Sequence, residues 1–145
     1  WEVVFLLAGL IPLGIAMEKT GTAGFIASKL LIISEYFSPT VMLAVFYLFS
    51  AVLTNIISNN ASVVLMIPVA VEAAEKMGAN PFAFVMAVTF AASTAFLTPV
   101  GYQTNLMVYG PGGYSFKDFF RLGMPLTILY MFVTVAILSL MYFKI

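Results

Sequence analysis

Thr54-Asn55-Ile56-Ile57-Ser58-Asn59-Asn60-Ala61-Ser62 crowds hydroxyls and amides between two strongly apolar runs of a 145-residue chain. The run before it, from Pro39 to about Ile57, is helical in character. The run after it, Val63 to Ala74, is too short to cross a bilayer, which takes about 20 apolar residues. With a polar centre and no helix breaker, this stretch predicts a helical hairpin whose tip is buried in protein. Pro68 falls inside the return arm.

A second polar interruption lies downstream. A helix is expected over residues 81–97, with Pro81 at a favoured helix-start position. It ends in Thr98-Pro99-Val100-Gly101-Tyr102-Gln103-Thr104-Asn105, followed by the short apolar piece Leu106 to Tyr109. Gly110-Pro111-Gly112-Gly113 then forces a turn and lacks the Lys-Ser/Thr of a phosphate loop. The segment 81–109 thus predicts a helix long enough to cross a membrane but broken near its middle. An uninterrupted helix is expected from about Met124 to Phe143. Towards the N-terminus, residues 2–17 predict an apolar segment kinked by Gly9, Pro12 and Gly14. Residues 18–37 predict an amphipathic helix lying at a membrane surface. No internal repeat or soluble linker is visible.

Composition places these elements in lipid. Hydrophobic residues make up 63% of the chain and charged residues 8%, against the roughly 25% that covers a soluble domain. Residues 3–17, 36–71, 77–116 and 122–143 carry no charge at all. The charges gather at Glu18/Lys19, Lys29/Glu35, Glu72/Glu75/Lys76 and Lys117/Asp118/Arg121, where the chain is expected to surface. An all-α membrane protein follows, with 1–145 forming one transmembrane domain. Lys117 and Arg121 make the most basic loop, which orients it towards the cytoplasm, and the expected location is the plasma (inner) membrane. Net charge is zero, without a basic run, which gives nucleic acid nothing to bind. Histidine and cysteine are absent, which removes thiolate and imidazole metal sites and Cys- or His-based catalysis. With no nucleophile–base pair in the pattern, the chain does not read as an enzyme.

Non-helical backbone at membrane depth leaves amides and carbonyls unpaired, at several kcal/mol each, unless protein, water or an ion satisfies them. Secondary transporters use such breaks. Half-helix N-termini face anionic substrates, and unwound carbonyls coordinate the coupling cation. Ser, Thr and Asn oxygens with backbone carbonyls are hard, neutral ligands suited to a releasable sodium ion. The Asn59 and Asn60 amides and the backbone N–H groups at Ala61 to Val63 can donate to an anion. The competing reading takes the same side chains as hydrogen-bonding glue between helices. Glu72, Glu75 and Lys76 read as a solvated helix end with a Glu-to-Lys pair along the helix.

The order Glu18-Lys19-Thr20-Gly21, then Thr54 to Ala61, then Ile67-Pro68, then Thr98-Pro99-Val100-Gly101 resembles the C-terminal repeat of the divalent anion:sodium symporter family, within the wider ion transporter superfamily. The resemblance covers essentially the whole chain and is most specific at the Ser58-Asn59 tip and the Pro-Val-Gly break. It implies an elevator-type transporter of paired inverted repeats, usually a homodimer. Each repeat of that family has a re-entrant hairpin and a broken helix. It also implies that the N-terminal repeat is missing from this chain. Carried over residue by residue, it makes Thr54, Ser58, Asn59 and the carbonyl of Gly101 sodium ligands, and Ser58, Asn59 and Asn60 the tip that touches substrate. Sodium is then the coupling ion and no organic cofactor is expected. The chain departs from the family at Asn60, where Thr is usual, and at Tyr102-Gln103-Thr104, where dicarboxylate carriers tend to have Thr-Pro-Pro. Tyr102 and Gln103 become candidate substrate contacts, and the Asn60 and Gln103 amides suit an oxyanion such as sulfate. The rival readings are an arsenite- or citrate-type or proton-coupled carrier of the same superfamily, and a structural membrane subunit. Neither polar break holds a carboxylate, histidine or lysine for a proton relay.

Overall fold

A computed structural model of the chain describes residues 38–143 without a break, and before them residues 8, 9, 12, 15, 16, 19–22, 25, 26 and 29. The apolar segment expected over 2–17 and the amphipathic helix expected over 18–37 lie outside the continuously described residues. Among the described residues there is no strand. The continuous part holds α1 (Pro39–Thr54), α2 (Asn59–Lys76), α3 (Pro81–Ala92), α4 (Gln103–Tyr109) and α5 (Phe116–Tyr142).

Local chemistry sets most of these boundaries. Ser38 and Asn80, each followed by proline, are extended, because the pyrrolidine ring disfavours helical backbone in the residue before it. The Asn80 Oδ1 then accepts from the Phe82 amide at 2.9 Å. Ser58 caps α2, its Oγ accepting from the Ala61 amide at 3.3 Å. The last helix begins at Phe116 rather than near Met124. The Asp118 carboxylate accepts from both the amide and the hydroxyl of Ser115, at 2.8 and 2.7 Å, and that cap starts the helix in the charged stretch. The resulting 27 residues of α5 extend about 40 Å at 1.5 Å per residue. Among the described residues α5 alone is both long and apolar enough to cross a membrane.

The third helix ends at Ala92, short of the expected residue 97. The Thr94 hydroxyl donates to the Ala91 carbonyl at 2.7 Å, and the Ser93 hydroxyl to the Thr89 carbonyl at 3.2 Å. The Ser93 and Thr94 amides turn back to Phe90 and Ala91 as the last turn tightens. These local side-chain bonds compete with helix propagation. The polar break is therefore longer than the Thr98-to-Asn105 stretch alone.

The third helix packs against both α1 and α2, which also touch each other, while α5 lies against α1 and α3. Ala70, Ala73 and Ala74 of α2 and Ala83 and Ala87 of α3 are wholly buried in one cluster. Such small side chains let helix backbones approach closely. Phe46 of α1 and Phe84 of α3 fill the adjoining space edge-to-face, with ring centroids 5.5 Å apart. The Ser139 hydroxyl meets Thr40 Oγ1 at 3.3 Å, so the C-terminal end of α5 lies beside the start of α1. Nearer its start, Gly123 of α5 presses against the broken segment: a Cβ there would stand 2.2 Å from the Phe96 carbonyl oxygen. Leu122, Phe132, Leu140 and Met141 leave the opposite faces of α5 exposed and apolar. The expected pair at the end of α2 is present as Lys76 Nζ to Glu72 Oε1, 3.1 Å, on the surface.

Candidate functional site

Both predicted interruptions are present, and tertiary packing brings them together. The first is the turn Asn55–Ser58 between α1 and α2. The second is the non-helical segment 93–102 between α3 and α4. The end of α3 leaves carbonyls without helical partners, and the hairpin supplies a donor for one of them. The Thr54 hydroxyl, fully buried, donates to the Ala92 carbonyl at 2.7 Å.

Asn55 makes the densest set of contacts. Its amide tightens back to the Val52 carbonyl at 3.2 Å, which frees the Ala51 carbonyl for the Asn55 Nδ2, 2.7 Å away. The Oδ1 then faces across the interface and accepts from the consecutive amides of Leu97 and Thr98, at 2.9 and 3.1 Å. The Thr98 hydroxyl donates to the Asn55 backbone carbonyl at 2.9 Å and accepts from the Gly101 amide at 3.0 Å. Gly101 is buried against this junction. A Cβ there would stand 3.0 Å from Asn55 Oδ1 and 3.1 Å from the Ala95 Cβ, so a larger residue would fit only if these neighbours gave by a few tenths of an ångström. On the other side, Asn105 of α4 donates through Nδ2 to the Ala95 and Thr98 carbonyls, at 2.7 and 3.0 Å. Among the described residues the carbonyls of Leu97, Pro99, Val100 and Gly101 accept no hydrogen bond. Peptide carbonyls are hard, neutral oxygens of the kind that suits a monovalent cation.

A cavity of about 230 Å³ opens beside this junction, lined by Asn59, Ser93, Ala95, Phe96, Tyr102 and Asn105. Of the predicted residues, Asn59 and Tyr102 therefore share one cavity, and Thr54 and Gly101 lie in the buried junction behind it. Ser58 and Asn60 are exposed, Asn59 is partly buried, and neither Ser58, Asn60 nor Gln103 lines the cavity. The hairpin tip is thus not enclosed by this chain, contrary to the expectation of a buried tip. At the start of α2 the predicted donors also narrow. The Ala61 amide is taken by the Ser58 hydroxyl and the Ser62 amide by the Ser58 carbonyl. The Asn59 and Asn60 amides remain at the positive end of the helix.

Asn55, Ser93 and Asn105 were not among the predicted site residues. Asn55 and Asn105 both lie inside the polar stretches, so the signal was present. Ser93 lay within an expected helix and gave none.

An apolar helical protein whose two helix interruptions are laced together beside a small cavity of mixed lining has the architecture of a membrane carrier. Over residues 1–145 the chain matches the sodium:sulfate symporter transmembrane region, and it belongs to that family, one of integral membrane transporters and not of enzymes. It is 54% identical over 142 residues to an uncharacterised transporter of Synechocystis, covering 98% of this chain and 23% of that protein. A sodium/sulfate cotransporter of Chlamydomonas reinhardtii is 33% identical over 97% of this chain and 16% of its own length. A sodium-dependent high-affinity dicarboxylate transporter of Caenorhabditis elegans is 31% identical over 90% of this chain and 24% of its own length. The chain thus spans about a quarter or less of the curated relatives it matches.

Proposed function

We propose that this chain is the C-terminal half of the membrane domain of a sodium-coupled carrier for a small divalent anion, sulfate or a dicarboxylate. The observation that carries the reading is the hydrogen-bonded junction of the hairpin turn with the 93–102 segment, beside a cavity to which Asn59, Ser93, Tyr102 and Asn105 bring polar groups. Glue between helices needs a few hydroxyl–carbonyl bonds. It does not need two non-helical segments that meet and leave backbone carbonyls unpaired. The names of the matched relatives support sodium coupling and either anion.

In this reading Thr54, Ser58, Asn59 and the Gly101 carbonyl contribute to a sodium site. The Thr54 hydroxyl gives its proton to Ala92, which leaves only lone pairs for a cation. The anion lies in the cavity, against Asn59 and Tyr102, with Ser93 and Asn105 on its wall. Ser58, Asn60 and Gln103, which face outward from this chain, meet substrate only if the partner repeat closes over them. That repeat is an N-terminal repeat of the same protein, with a second hairpin. The full carrier works as a homodimer in the plasma membrane, by an elevator movement.

The test is uptake of labelled sulfate and succinate by the full-length parent in proteoliposomes, with and without an inward sodium gradient. Sodium-stimulated uptake of one of these anions is expected, and Asn59→Ala should abolish the stimulation. Uptake of neither anion under any gradient would refute the reading.

A further inference from the structure

Neither the motif pattern nor the family match assigns Asn55 a task, yet more of the junction runs through it than through any predicted ligand. We infer that Asn55 is a positioning residue for the sodium site. Its carboxamide oxygen holds Leu97 and Thr98 against the hairpin turn, and through Thr98 it fixes where Gly101 presents its carbonyl. The inference rests on the sodium-site reading above and deepens it.

Orientation of the amide is determined by its two ends. With Nδ2 at 2.7 Å from the Ala51 carbonyl, Oδ1 must face the two amides; the flipped amide would set N–H against N–H and oxygen against oxygen. The side chain is only 4% exposed, so water cannot substitute for it. Two consecutive N–H groups converging on one oxygen form a concave pocket of the kind that binds anions. Here a neutral oxygen fills it, which keeps substrate anion out of that position and adds no charge beside the cation. The relay continues from the Asn55 carbonyl to the Thr98 hydroxyl and on to the Gly101 amide. Asn105 holds the same segment from the opposite side through Ala95 and Thr98. Loss of Asn55 should therefore loosen the segment relative to the hairpin without releasing it, and the fold should survive.

The experiment uses the full-length parent in proteoliposomes and compares Asn55→Leu, Thr98→Val, Thr98→Ser and the double variant Asn55→Leu/Thr98→Val. The readouts are the sodium concentration giving half-maximal anion uptake, the maximal rate at saturating sodium, and hydrogen exchange of the Leu97 and Thr98 amides. Asn55→Leu and Thr98→Val should each raise the half-saturating sodium about tenfold, as expected for about 1.4 kcal/mol, with most of the maximal rate kept. Thr98→Ser retains the hydroxyl and should stay within about twofold. The double variant should be little worse than the worse single one, because both act through one relay. The two amides should be protected in the wild type and exposed in Asn55→Leu. Lost protection with unchanged sodium dependence in Asn55→Leu would reduce the residue to a structural bond and overturn the inference. Unchanged protection in that variant would overturn the geometry itself. A wild type without sodium-dependent uptake would instead refute the proposed function, and the positioning role with it. That failure is visible before any variant is measured.

Discussion

Replacing Gly123 by alanine sets helix propensity against packing, and the structure decides which wins. In the middle of a helix, Gly→Ala ordinarily gains about 1 kcal/mol. At this position the new Cβ would stand 2.2 Å from the Phe96 carbonyl oxygen, 2.5 Å from the Phe96 carbonyl carbon and 3.0 Å from the Leu97 amide nitrogen. All three are backbone atoms, so no side chain can swing aside. Ordinary contact demands that α5 or the 93–102 segment move by about 1 Å, and overpacking of this kind costs about 1–3 kcal/mol and sometimes more. That segment is also tied to Asn55 and Asn105, so a shift there strains both anchors. Once the gain of about 1 kcal/mol is subtracted, the expected net effect is a loss of up to about 2 kcal/mol, read as a lower unfolding temperature of the full-length protein in detergent. Because Leu97 belongs to the Asn55 junction, sodium stimulation of uptake should weaken as well. An unfolding temperature equal to or above that of the wild type would mean that propensity prevails and that α5 does not press on Phe96.

Three further outcomes follow from the same contacts. Thr54→Val keeps the shape but leaves the Ala92 carbonyl buried without its donor, and should destabilise by about 1–3 kcal/mol, whereas Thr54→Ser should be nearly neutral; denaturant or thermal unfolding of the two variants separates them. Asn105→Leu strips the donor from the Ala95 and Thr98 carbonyls at once, and should both lower stability and raise the KM for anion uptake, since Asn105 lines the cavity. Phe84→Ala removes a fully buried ring packed on Phe46 and should cost about 3–5 kcal/mol, measured as lost folded yield with little change in KM for whatever protein survives.

Much of the architecture is legible in the chain alone, because the signals are local. The absence of charge over residues 36–71, 77–116 and 122–143 marks the chain as a membrane protein by the energetic cost of burying charge. The interruption between α1 and α2 shows in the polar stretch Thr54 to Ser62, which separates two apolar runs. The break after α3 shows in Pro99, Gly101 and Asn105. Helix ends were less legible. Residue 97 was expected and Ala92 found, because Ser93 and Thr94 cap backward onto carbonyls that periodicity does not see. Met124 was expected and Phe116 found, because Asp118 serves as a cap rather than as the mark of a loop.

Only the tertiary structure decided which polar residues face each other. Asn55 and Leu97 stand 42 residues apart in sequence, and no periodicity within either segment encodes that the carboxamide of one meets the amides of the other. The same holds for Gly101 and Gly123. Nothing local in the sequence marks that a methyl group would strike the Phe96 backbone at Gly123 or crowd Asn55 and Ala95 at Gly101. Local pattern is written by solvent, bilayer and backbone preferences acting on nearby residues. The site depends on which orphaned carbonyls and amides the packed helices bring within 3 Å of one another, and that follows from the arrangement of all the helices together.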